Sequence, residues 1–302
     1  MSRTTPTRLL FALGAAAALA GCSSTPDEPE PPPGPPVPFR ALTFNVLCSF
    51  CGLDAYDTWD ERLVAFEDLF ARHDPDLLGL QELALRPEVQ QILAVLPDAY
   101  APVFYQAPES VFAYPDASVF YRTSRFELAA SGFYWLSPTP DVPSSTGFAP
   151  QQVPRLVAWT VLRDLASRRQ LYFASTHFDN NAPSQELSAP LAVERTTPWL
   201  ADVPGMLVGD FNSKPATAAY ATLTDAFDDA QALADEWHVA SNQAPVPAYD
   251  LAERIDHLFL GARAGSAPWQ VSSWVVDLFV YGAEDRYPSD HFAIAADLTA
   301  PY

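Results

Sequence analysis

The sequence predicts an α/β protein in which mixed β-sheets pack together and helices cover the outside. Hydrophobic residues make up 49% of the 302 residues, which is enough for one large core or two small ones. Short apolar segments typical of buried strands outnumber segments with helical periodicity. Because the two kinds of segment do not alternate strictly, packed mixed sheets fit better than a repeated βαβ unit.

The first 21 residues are predicted to be a secretion signal. Arg3 and Arg8 form a basic region, residues 9–20 are an apolar run too short to span a bilayer comfortably, and Cys22 follows Leu-Ala-Gly. This pattern resembles a bacterial lipobox. The resemblance implies cleavage before Cys22 and a lipid on it, and hence an envelope protein anchored on the extracytoplasmic side, at the outer membrane or the periplasmic face. A simple secretory signal with an incidental cysteine is the alternative.

Residues 22–38 are predicted to be a tether, and residues 39–302 the folded domain. Residues 25–38 contain eight prolines and three acidic residues, a composition that favours an extended spacer of roughly 40 Å at most. No later stretch has the composition of a second linker.

The chain is strongly acidic. Its formal net charge is −20, and loss of Arg3 and Arg8 with the signal would make it −22. Such a surface repels long polyanions unless a local patch or a metal ion reverses the field. This disfavours nucleic acid as a partner, although it leaves a small phosphate ester acceptable. The domain is expected to be a monomer.

Cys48 and Cys51 are spaced C-x-x-C. Outside the cytoplasm a local disulfide is expected for such a pair. A zinc site would need two further ligands and a redox motif would need its own βαβ context, and the sequence offers neither.

The segments of the domain are predicted in order. Strands are expected at 40–46, 76–82, 117–121, 126–135, 156–162, 171–177, 206–212, 254–260, 271–276 and 292–298, and helices at about 59–73, 87–96, 185–200 and 216–223. Thr58 and Glu61 form a capping-box pattern at the first helix, whose apolar face is expected to contain Trp59, Leu63, Phe66 and Phe70. Pro190 and Pro198 are expected to interrupt the third helix.

The segment from Met206 to Asn212 ends an apolar run at an acid and an amide. On an extended chain Asp210 and Asn212 would point to the same face, where they could orient a water molecule against an electrophile. A strand followed by Asp-x-Asn is also an ordinary turn signal, and that alternative stays open.

Several other apolar segments also end in a residue able to bind metal or transfer a proton. Any one such residue is more often structural than catalytic. The complete set is Asn45, Glu82, His177 with Asp179, Asp210 with Asn212, Asp256, and Asp290 with His291.

In sequence order, these motifs resemble the endonuclease/exonuclease/phosphatase superfamily, which includes the DNase I-like enzymes. The phrases are Thr-Phe-Asn45, Leu-Gln-Glu82, Ser-Thr-His177-Phe-Asp179, Gly-Asp210-Phe-Asn212, Arg-Ile-Asp256 and Ser-Asp290-His291. The resemblance runs from about residue 40 to the C-terminus. It implies a four-layered α/β sandwich, with two mixed sheets face to face, helices outside and the active site at one end of the sheets.

The resemblance also implies a metal-dependent hydrolase of phosphate esters. Glu82 is expected to be the main ligand for Mg²⁺, with Asn45 and Asp290 assisting, and Mn²⁺ and Ca²⁺ are the alternatives. The expected substrate is a small or lipid-derived phosphomonoester or phosphodiester. A secreted DNase I-like endonuclease and a non-catalytic binding lipoprotein are the alternative functions.

The remaining catalytic roles follow from the same resemblance. Asp210 is expected to activate the attacking water, with Asn212 as its orienting partner. His291, kept protonated by Asp256, and His177 on the opposite side are expected to donate to phosphoryl or leaving oxygens.

Three further residues are expected to contact substrate: Arg155, Asp179 and Asn180. An ion-pair role is equally expected for Arg155. His257 is interpreted as structural, and His73 and His238 as surface groups. The stretch 274–281 is either a membrane-contacting hairpin or, by preference, an interior strand.

Overall fold

The structure is a computed structural model that describes residues 32–52, 55–109, 111–150 and 153–302. The predicted signal, Cys22 and most of the tether lie outside these residues. The strands are β1 (Phe39–Asn45), β2 (Leu77–Leu83), β3 (Tyr100–Val103), β4 (Asp116–Arg122), β5 (Phe126–Trp135), β6 (Leu156–Asp164), β7 (Gln170–His177), β8 (Gly205–Asp210), β9 (Asp228–Asp229), β10 (Trp237–Ala240), β11 (Asp256–Gly261), β12 (Gln270–Asp277) and β13 (Ile294–Thr299). The helices are α1 (Trp59–His73), α2 (Arg86–Val95), α3 (Ala182–Leu200), α4 (Ala218–Thr224) and α5 (Ala230–Leu233).

The strands form two mixed sheets. One sheet has the order β10-β12-β13-β1-β2-β4-β3 and the other β5-β6-β7-β8-β11-β9. Strands β1 and β2 run parallel, as do β7 and β8 and also β10 and β12, while the remaining pairs are antiparallel. The predicted fold class, two mixed sheets packed together with helices, is confirmed.

Three apolar clusters separate the four layers. The central one joins the inner faces of the two sheets and includes Phe173, Val208 and Ile294. A second lies between the first sheet and helices α1 and α2, and a third between the other sheet and helices α3 and α4. Each large apolar side chain buried in these clusters contributes about 1.5–3 kcal/mol relative to its exposed state.

Strand β7 shows why the predicted strands are almost continuously apolar. Phe173 points into the central cluster, whereas its neighbours Tyr172 and Ala174 point toward α3. Since successive side chains alternate between faces, a strand covered on both sides needs apolar residues at every position.

Two helices differ from expectation. The buried face of α1 includes Arg62, Leu69 and His73, whereas Leu63 is only half-buried. Helix α3 runs unbroken through Pro190 and Pro198, and it starts at Ala182 because the Asn181 side chain caps it by accepting a hydrogen bond from the Ser184 N–H. Packing of its inner face against the sheet outweighs the lost backbone hydrogen bonds.

The stretch 274–281 begins within β12, which lies between β10 and β13. Trp274 is 1% exposed, so residues 274–277 form part of an interior strand as preferred from the sequence, whereas residues 278–280 follow the end of that strand. Among the helices in the described part of the chain, none combines the length and apolar character needed to cross a bilayer.

The chain enters the domain at the end opposite to the carboxyl end of β1. The Gly34 N–H donates to the Ser167 carbonyl (2.8 Å), and the Arg169 side chain donates to the Gly34 carbonyl (2.8 Å). Ser167 and Arg169 lie in the turn that precedes β7, whereas His177 ends that strand.

Candidate active site

The predicted site residues lie at one end of the two sheets. Asn45, His177 and Asp210 end β1, β7 and β8, and Glu82 is the penultimate residue of β2. Asp256 begins β11 and is the register partner of Asp210, which also pairs with His177 on the parallel neighbour. The register therefore places His177, Asp210 and Asp256 in one row across the second sheet, while Asn45 and Glu82 lie at the ends of neighbouring strands of the first.

Gly209 permits this row to form. Its φ angle is +148°, and a Cβ atom there would lie 2.0 Å from the Thr176 carbonyl oxygen. Only glycine fits so close to the neighbouring strand at that backbone angle. The Gly-Asp sequence therefore reflects the close approach of β8 to β7.

The backbone turns directly after Asp210, which corrects the expectation of a continuous strand to Asn212. Asn212 has a left-handed φ of +49°, so the alternation argument for a shared face fails there. Instead, the Asn212 N–H donates to Asp210 Oδ1 (2.8 Å), and its side-chain amide donates to the Phe178 carbonyl (3.0 Å). Asn212 thus orients Asp210 through its backbone.

Asn45 connects the two sheets. Its Nδ2 donates to Glu82 Oε1 (3.1 Å) and to Asp210 Oδ2 (3.1 Å). Its Oδ1 accepts from the Leu47 N–H (3.0 Å), which fixes the orientation of the amide. Glu82 itself has a left-handed φ of +72°, a conformation that costs roughly 1–3 kcal/mol in a non-glycine residue and is typical of functional sites.

His291 is held by Asp256. Its Nδ1 lies 2.9 Å from Asp256 Oδ2, and its Nε2 lies 3.6 Å from Asp210 Oδ2. Burial acts to lower the pKa of His291, but the charge and hydrogen bond of Asp256, together with Asp210 and Asp290, raise it to about 10. His291 is therefore an imidazolium at neutral pH.

His177 is in the opposite state. Burial, reinforced by the positive charges of Arg155 and His291, holds its pKa well below the usual 6.5. Its Nδ1 lies 2.9 Å from Arg155 Nη1, and its Nε2 lies 3.4 Å from Asp210 Oδ2. Asp210 therefore lies between a charged imidazole, His291, and a neutral one, His177.

Asp210 is a buried carboxyl group between these rings. Burial and the negative charge of Asp256 raise its pKa to about 7, against the opposing effects of His291, the Asn212 N–H and Asn45. An acid with a pKa near neutrality is suited to proton transfer at physiological pH.

The donor set fits a hard divalent cation. Four carboxylates lie in this region (Glu82, Asp210, Asp256 and Asp290), and Asp256 Oδ1 is buried with no hydrogen-bond partner among the described residues. Carboxylate oxygens of Asp210 and Asp256 lie within 4.8 Å of each other, and the imidazolium of His291 beside them is a hydrogen-bond donor and not a ligand. Clustered carboxylate oxygens without enough balancing positive charge are what Mg²⁺ and similar ions bind.

The remaining predicted ligand, Asp290, lies at the edge of this region. Its side chain is exposed, and Oδ1 accepts from Ser289 Oγ (3.3 Å). It is close enough to His291 to raise the pKa of that ring.

The three predicted substrate residues are placed differently from one another. Arg155 contacts His177 and donates to the Pro115 carbonyl (3.2 Å). Asp179 is 2% exposed, and neither of its carboxylate oxygens has a hydrogen-bond partner among the described residues. Asn180 is exposed, just before α3.

The other histidines correct one expectation. His257 is buried and its Nε2 contacts the Ser213 carbonyl (2.8 Å), as a structural group would. His238 is exposed. His73, expected at the surface, is 5% exposed and its Nε2 lies 2.6 Å from Asp277 Oδ2, a partner 204 residues away that no local pattern could reveal.

Cys48 and Cys51 are joined by a disulfide. The Cys48 N–H donates to Glu82 Oε2 (2.8 Å), so the loop that contains the disulfide contacts a predicted metal ligand directly. Because the two sulfur atoms are bonded to each other, they are not metal ligands.

Sequence reasoning missed Arg62. This side chain is 1% exposed and donates to the carbonyls of Val46 (2.5 Å), Leu47 (2.9 Å), Cys48 (3.2 Å) and Pro288 (3.3 Å). It therefore joins the loop after Asn45 to the loop before Asp290. The available signal was an arginine on the apolar face of the predicted helix.

Asp116 was also missed. Both of its oxygens accept backbone N–H groups, from Ala117 (2.7 Å) and Leu156 (3.0 Å). Burial raises its pKa to about 8, even though Arg155 opposes the shift. Its position directly before a buried strand was the only sequence signal.

Comparison with known proteins gives a consistent result. The sequence model described as "Endonuclease/Exonuclease/phosphatase family" matches residues 42–291. A Bacteroides thetaiotaomicron structure of an endonuclease/exonuclease/phosphatase family protein is 25% identical, with a TM-score of 0.75 over 87% of this chain and 98% of that one. The mannosyl-6-phosphatase of the same organism is also 25% identical, with a TM-score of 0.75 over 86% and 99%.

A more distant similarity concerns the fold alone. The human Nocturnin catalytic domain is 20% identical, with a TM-score of 0.63 over 87% of this chain and 93% of that one. No curated protein matches the sequence.

Proposed function

The chain belongs to the endonuclease/exonuclease/phosphatase family, and on that basis we propose that it is an extracytoplasmic, Mg²⁺-dependent phosphoesterase acting on a small or lipid-derived ester. Family members include phosphatases and nucleases, and this chain is a hydrolase of phosphate ester bonds. The lipobox-like sequence supports the extracytoplasmic location, and the family's general dependence on divalent metals supports the cofactor.

One observation carries the proposal. The Asn45 amide donates to both Glu82 and Asp210, so the predicted metal ligand and the predicted base are bound to the same side chain. His177 and His291 lie on either side of that base. A phosphoryl group near Glu82 would therefore meet a proton acceptor and two imidazole N–H groups.

Glu82, with Asn45 and Asp290, would hold Mg²⁺ in this proposal. When bound, the ion supplies positive charge to the phosphoryl and leaving oxygens. The remaining Glu82 lone pairs are available because each oxygen accepts only one hydrogen bond within the described residues.

Asp210 would accept the proton of the attacking water. Its Oδ1 accepts from the Asn212 N–H and its Oδ2 from Asn45 Nδ2, and Oδ2, which also faces both imidazoles, would take up the proton through its second lone pair. A pKa of about 7 leaves much of Asp210 ionised at neutral pH. The burial of Asp210 also excludes bulk water, which would otherwise compete with the attacking water for hydrogen bonds to the carboxylate.

The two imidazoles would stabilise negative charge that develops on the phosphoryl oxygens. His291, protonated and oriented by Asp256, donates as a cation. His177 donates as a neutral ring through Nε2, because Arg155 occupies Nδ1. Donors that are already positioned need no rearrangement during the reaction.

The similarity to a mannosyl-6-phosphatase supports a small phosphomonoester over nucleic acid. The formal net charge of −20 points the same way. An endonuclease is the second candidate, favoured only by the breadth of the family.

A turnover panel on residues 33–302, which contain every described strand and helix, tests the proposal. It would include p-nitrophenyl phosphate, bis-p-nitrophenyl phosphate, mannose 6-phosphate, plasmid DNA and sphingomyelin, each with Mg²⁺ and with EDTA. Asp210→Asn is the control. Metal-dependent cleavage lost in the control supports the proposal, and a folded, metal-binding protein inactive on every ester favours the binding lipoprotein.

A further inference from the structure

A group of exposed apolar side chains lies beside Glu82. Phe112 is 65% exposed, Phe50 44%, Leu85 41% and Tyr114 39%. We call these four residues the apolar rim. Single exposed apolar residues are ordinary on a protein surface, but a contiguous group beside a site indicates contact with an apolar partner.

Hydrogen bonds bring the loop that carries Phe50 close to the start of α2, where Leu85 lies. The Ser49 hydroxyl donates to Glu88 Oε1 (2.5 Å), and the Leu85 N–H donates to Glu88 Oε2 (2.7 Å). The residue before Phe50 and the backbone of Leu85 therefore meet at one carboxylate.

A recess continues the rim on its other side. Ala84, which precedes Leu85, lines this recess together with Phe112 and Tyr114, whose rings lie edge to face at 5.0 Å. Three more aromatic residues, Phe104, Tyr105 and Trp135, line its wall. The recess therefore shares Phe112 and Tyr114 with the rim, and Ala84 connects this surface to Leu85 along the chain.

This surface adjoins the proposed phosphate site. Leu83, the residue after Glu82, lines the recess, and the disulfide-containing loop that carries Phe50 donates to Glu82 through the Cys48 N–H. Leu156, next to Arg155, lines the opposite wall. The organic part of an ester with its phosphate near Glu82 would extend over these side chains.

The charge of the surface limits what it can bind. No Lys, Arg or His is among the residues that line the recess. Its single carboxyl group, Asp116, already accepts two backbone hydrogen bonds. The cation close to Asp116, Arg155, already donates to His177 and to the Pro115 carbonyl. A hydrocarbon group would lose little by leaving water here.

We propose that the alkyl chain of the substrate lies on the apolar rim at the mouth of the recess, and that the enzyme acts best on phosphate esters of apolar alcohols. The inference rests on the proposed phosphoesterase function and narrows its substrate class. Contact with hydrocarbon explains why aromatic residues, rather than polar ones, surround this side of the site.

The test is a homologous series of n-alkyl phosphates, from methyl to hexyl, used below their aggregation concentration. With Mg²⁺, kcat/KM is expected to rise about twofold per added methylene, which corresponds to partial burial of each group. Phe112→Ser and Leu85→Ser should flatten that rise. Val64→Ser is the matched control, because Val64 is 63% exposed on α1 and outside the rim.

Several outcomes would overturn the proposal. The proposal fails if kcat/KM does not depend on chain length, or if kcat/KM is higher for mannose 6-phosphate than for hexyl phosphate. It also fails if Phe112→Ser leaves the increase of kcat/KM with chain length unchanged. Sedimentation showing a dimer that Phe112→Ser dissociates would assign the rim to a second copy instead.

A binding measurement separates this proposal from the proposed function. Calorimetry with the Asp210→Asn variant gives the affinity for each alkyl phosphate without turnover. If affinity grows with chain length but the wild-type protein hydrolyses no ester, the rim binds alkyl chains and the phosphoesterase function is refuted. Equal affinity for every alkyl phosphate would refute binding of the alkyl chain by the apolar rim, whether or not hydrolysis occurs.

Discussion

Arg155 Nη1 lies 2.9 Å from His177 Nδ1. A guanidinium group only donates hydrogen bonds, so Nδ1 must be the acceptor and the proton of the neutral ring must be on Nε2, which faces Asp210. The contact therefore sets both the tautomer and the charge of His177. Arg155, for which substrate contact and an ion-pair role were equally expected, orients the predicted catalytic ring of His177.

Replacement of Arg155 by Met should release that constraint. The pKa of His177 should rise, because a neighbouring positive charge has been removed, and kcat should fall roughly 10- to 100-fold as the wrong tautomer becomes populated. Imidazole nitrogen NMR shifts would report the tautomer directly. Arg155→Lys, which keeps the charge but not the planar fork, should retain the low pKa and lose only part of the activity. Unchanged shifts in Arg155→Met would contradict this role.

Metal binding should release protons near neutral pH. The pKa of Asp210 is about 7 without a cation, and a nearby divalent ion favours the ionised form. Metal affinity should therefore weaken as pH falls below 7, by at most about tenfold per unit. Calorimetry in two buffers of different ionisation enthalpy measures the released proton, and Asp210→Asn should abolish the difference. Equal affinity at pH 5.5 and pH 8 would be inconsistent with this prediction.

The His291–Asp256 pair should make stability depend on pH in the alkaline range. The folded pKa of His291 is about 10 against an ordinary value of 6.5. The pair's contribution is therefore fully present below pH 6.5 and is lost as pH rises through 10. Urea titrations of metal-free protein at several pH values measure it. Asp256→Asn should remove the slope and also reduce kcat at least about 100-fold, whereas a slope retained in Asp256→Asn would assign it to other groups.

Arg62 should affect metal affinity beyond its effect on stability. Arg62→Met leaves several buried carbonyls unpaired, each of which costs about 1–3 kcal/mol. It also removes the connection between the loop after Asn45 and the loop before Asp290. Mn²⁺ affinity, followed by electron paramagnetic resonance on protein shown to be folded, should fall about tenfold or more. Arg62→Lys should recover stability in part but not the affinity, because one ammonium cannot reach both loops. Normal affinity in a destabilised Arg62→Met protein would indicate a purely structural role.

Gly209→Ala should disrupt the site through its backbone. A methyl group there would overlap the Thr176 carbonyl, so β8 must move away from β7 and take Asp210 away from His177. The variant is expected to lose well above the roughly 1–3 kcal/mol of stability that is typical of backbone strain alone. It should also lose most of its activity. Gly265→Ala is the control, since Gly265 also has a positive φ, +83°, but has no atom within 4 Å of a Cβ. Equal melting temperatures for the two variants would contradict the overlap argument.

The sequence supports prediction where structure is local. Apolar runs that end in a polar residue predicted β1, β2, β7 and β8 and placed Asn45, Glu82, His177 and Asp210 at their ends. It fails where the geometry depends on distant partners. Arg62 binds the Pro288 carbonyl, 226 residues away, and the left-handed turn at Asn212 depends on contacts with Phe178.

The shortest elements were also beyond prediction. Strands β3 and β10 have four residues each and β9 has two, too few to show a period. They form because neighbouring strands offer unpaired backbone groups, not because of their own composition.

The position at which the chain enters the domain has a practical consequence. Gly34 is hydrogen-bonded to the turn before β7, at the end of the sheets opposite to the site, and the seven residues of β1 span about 23 Å between the two ends. A bead, a surface or a fusion partner joined ahead of residue 33 would be attached at the end of the domain opposite to the site. The candidate active site of the immobilised enzyme should therefore stay accessible to solution, and the immobilised enzyme should hydrolyse dissolved esters as fast as the free enzyme does.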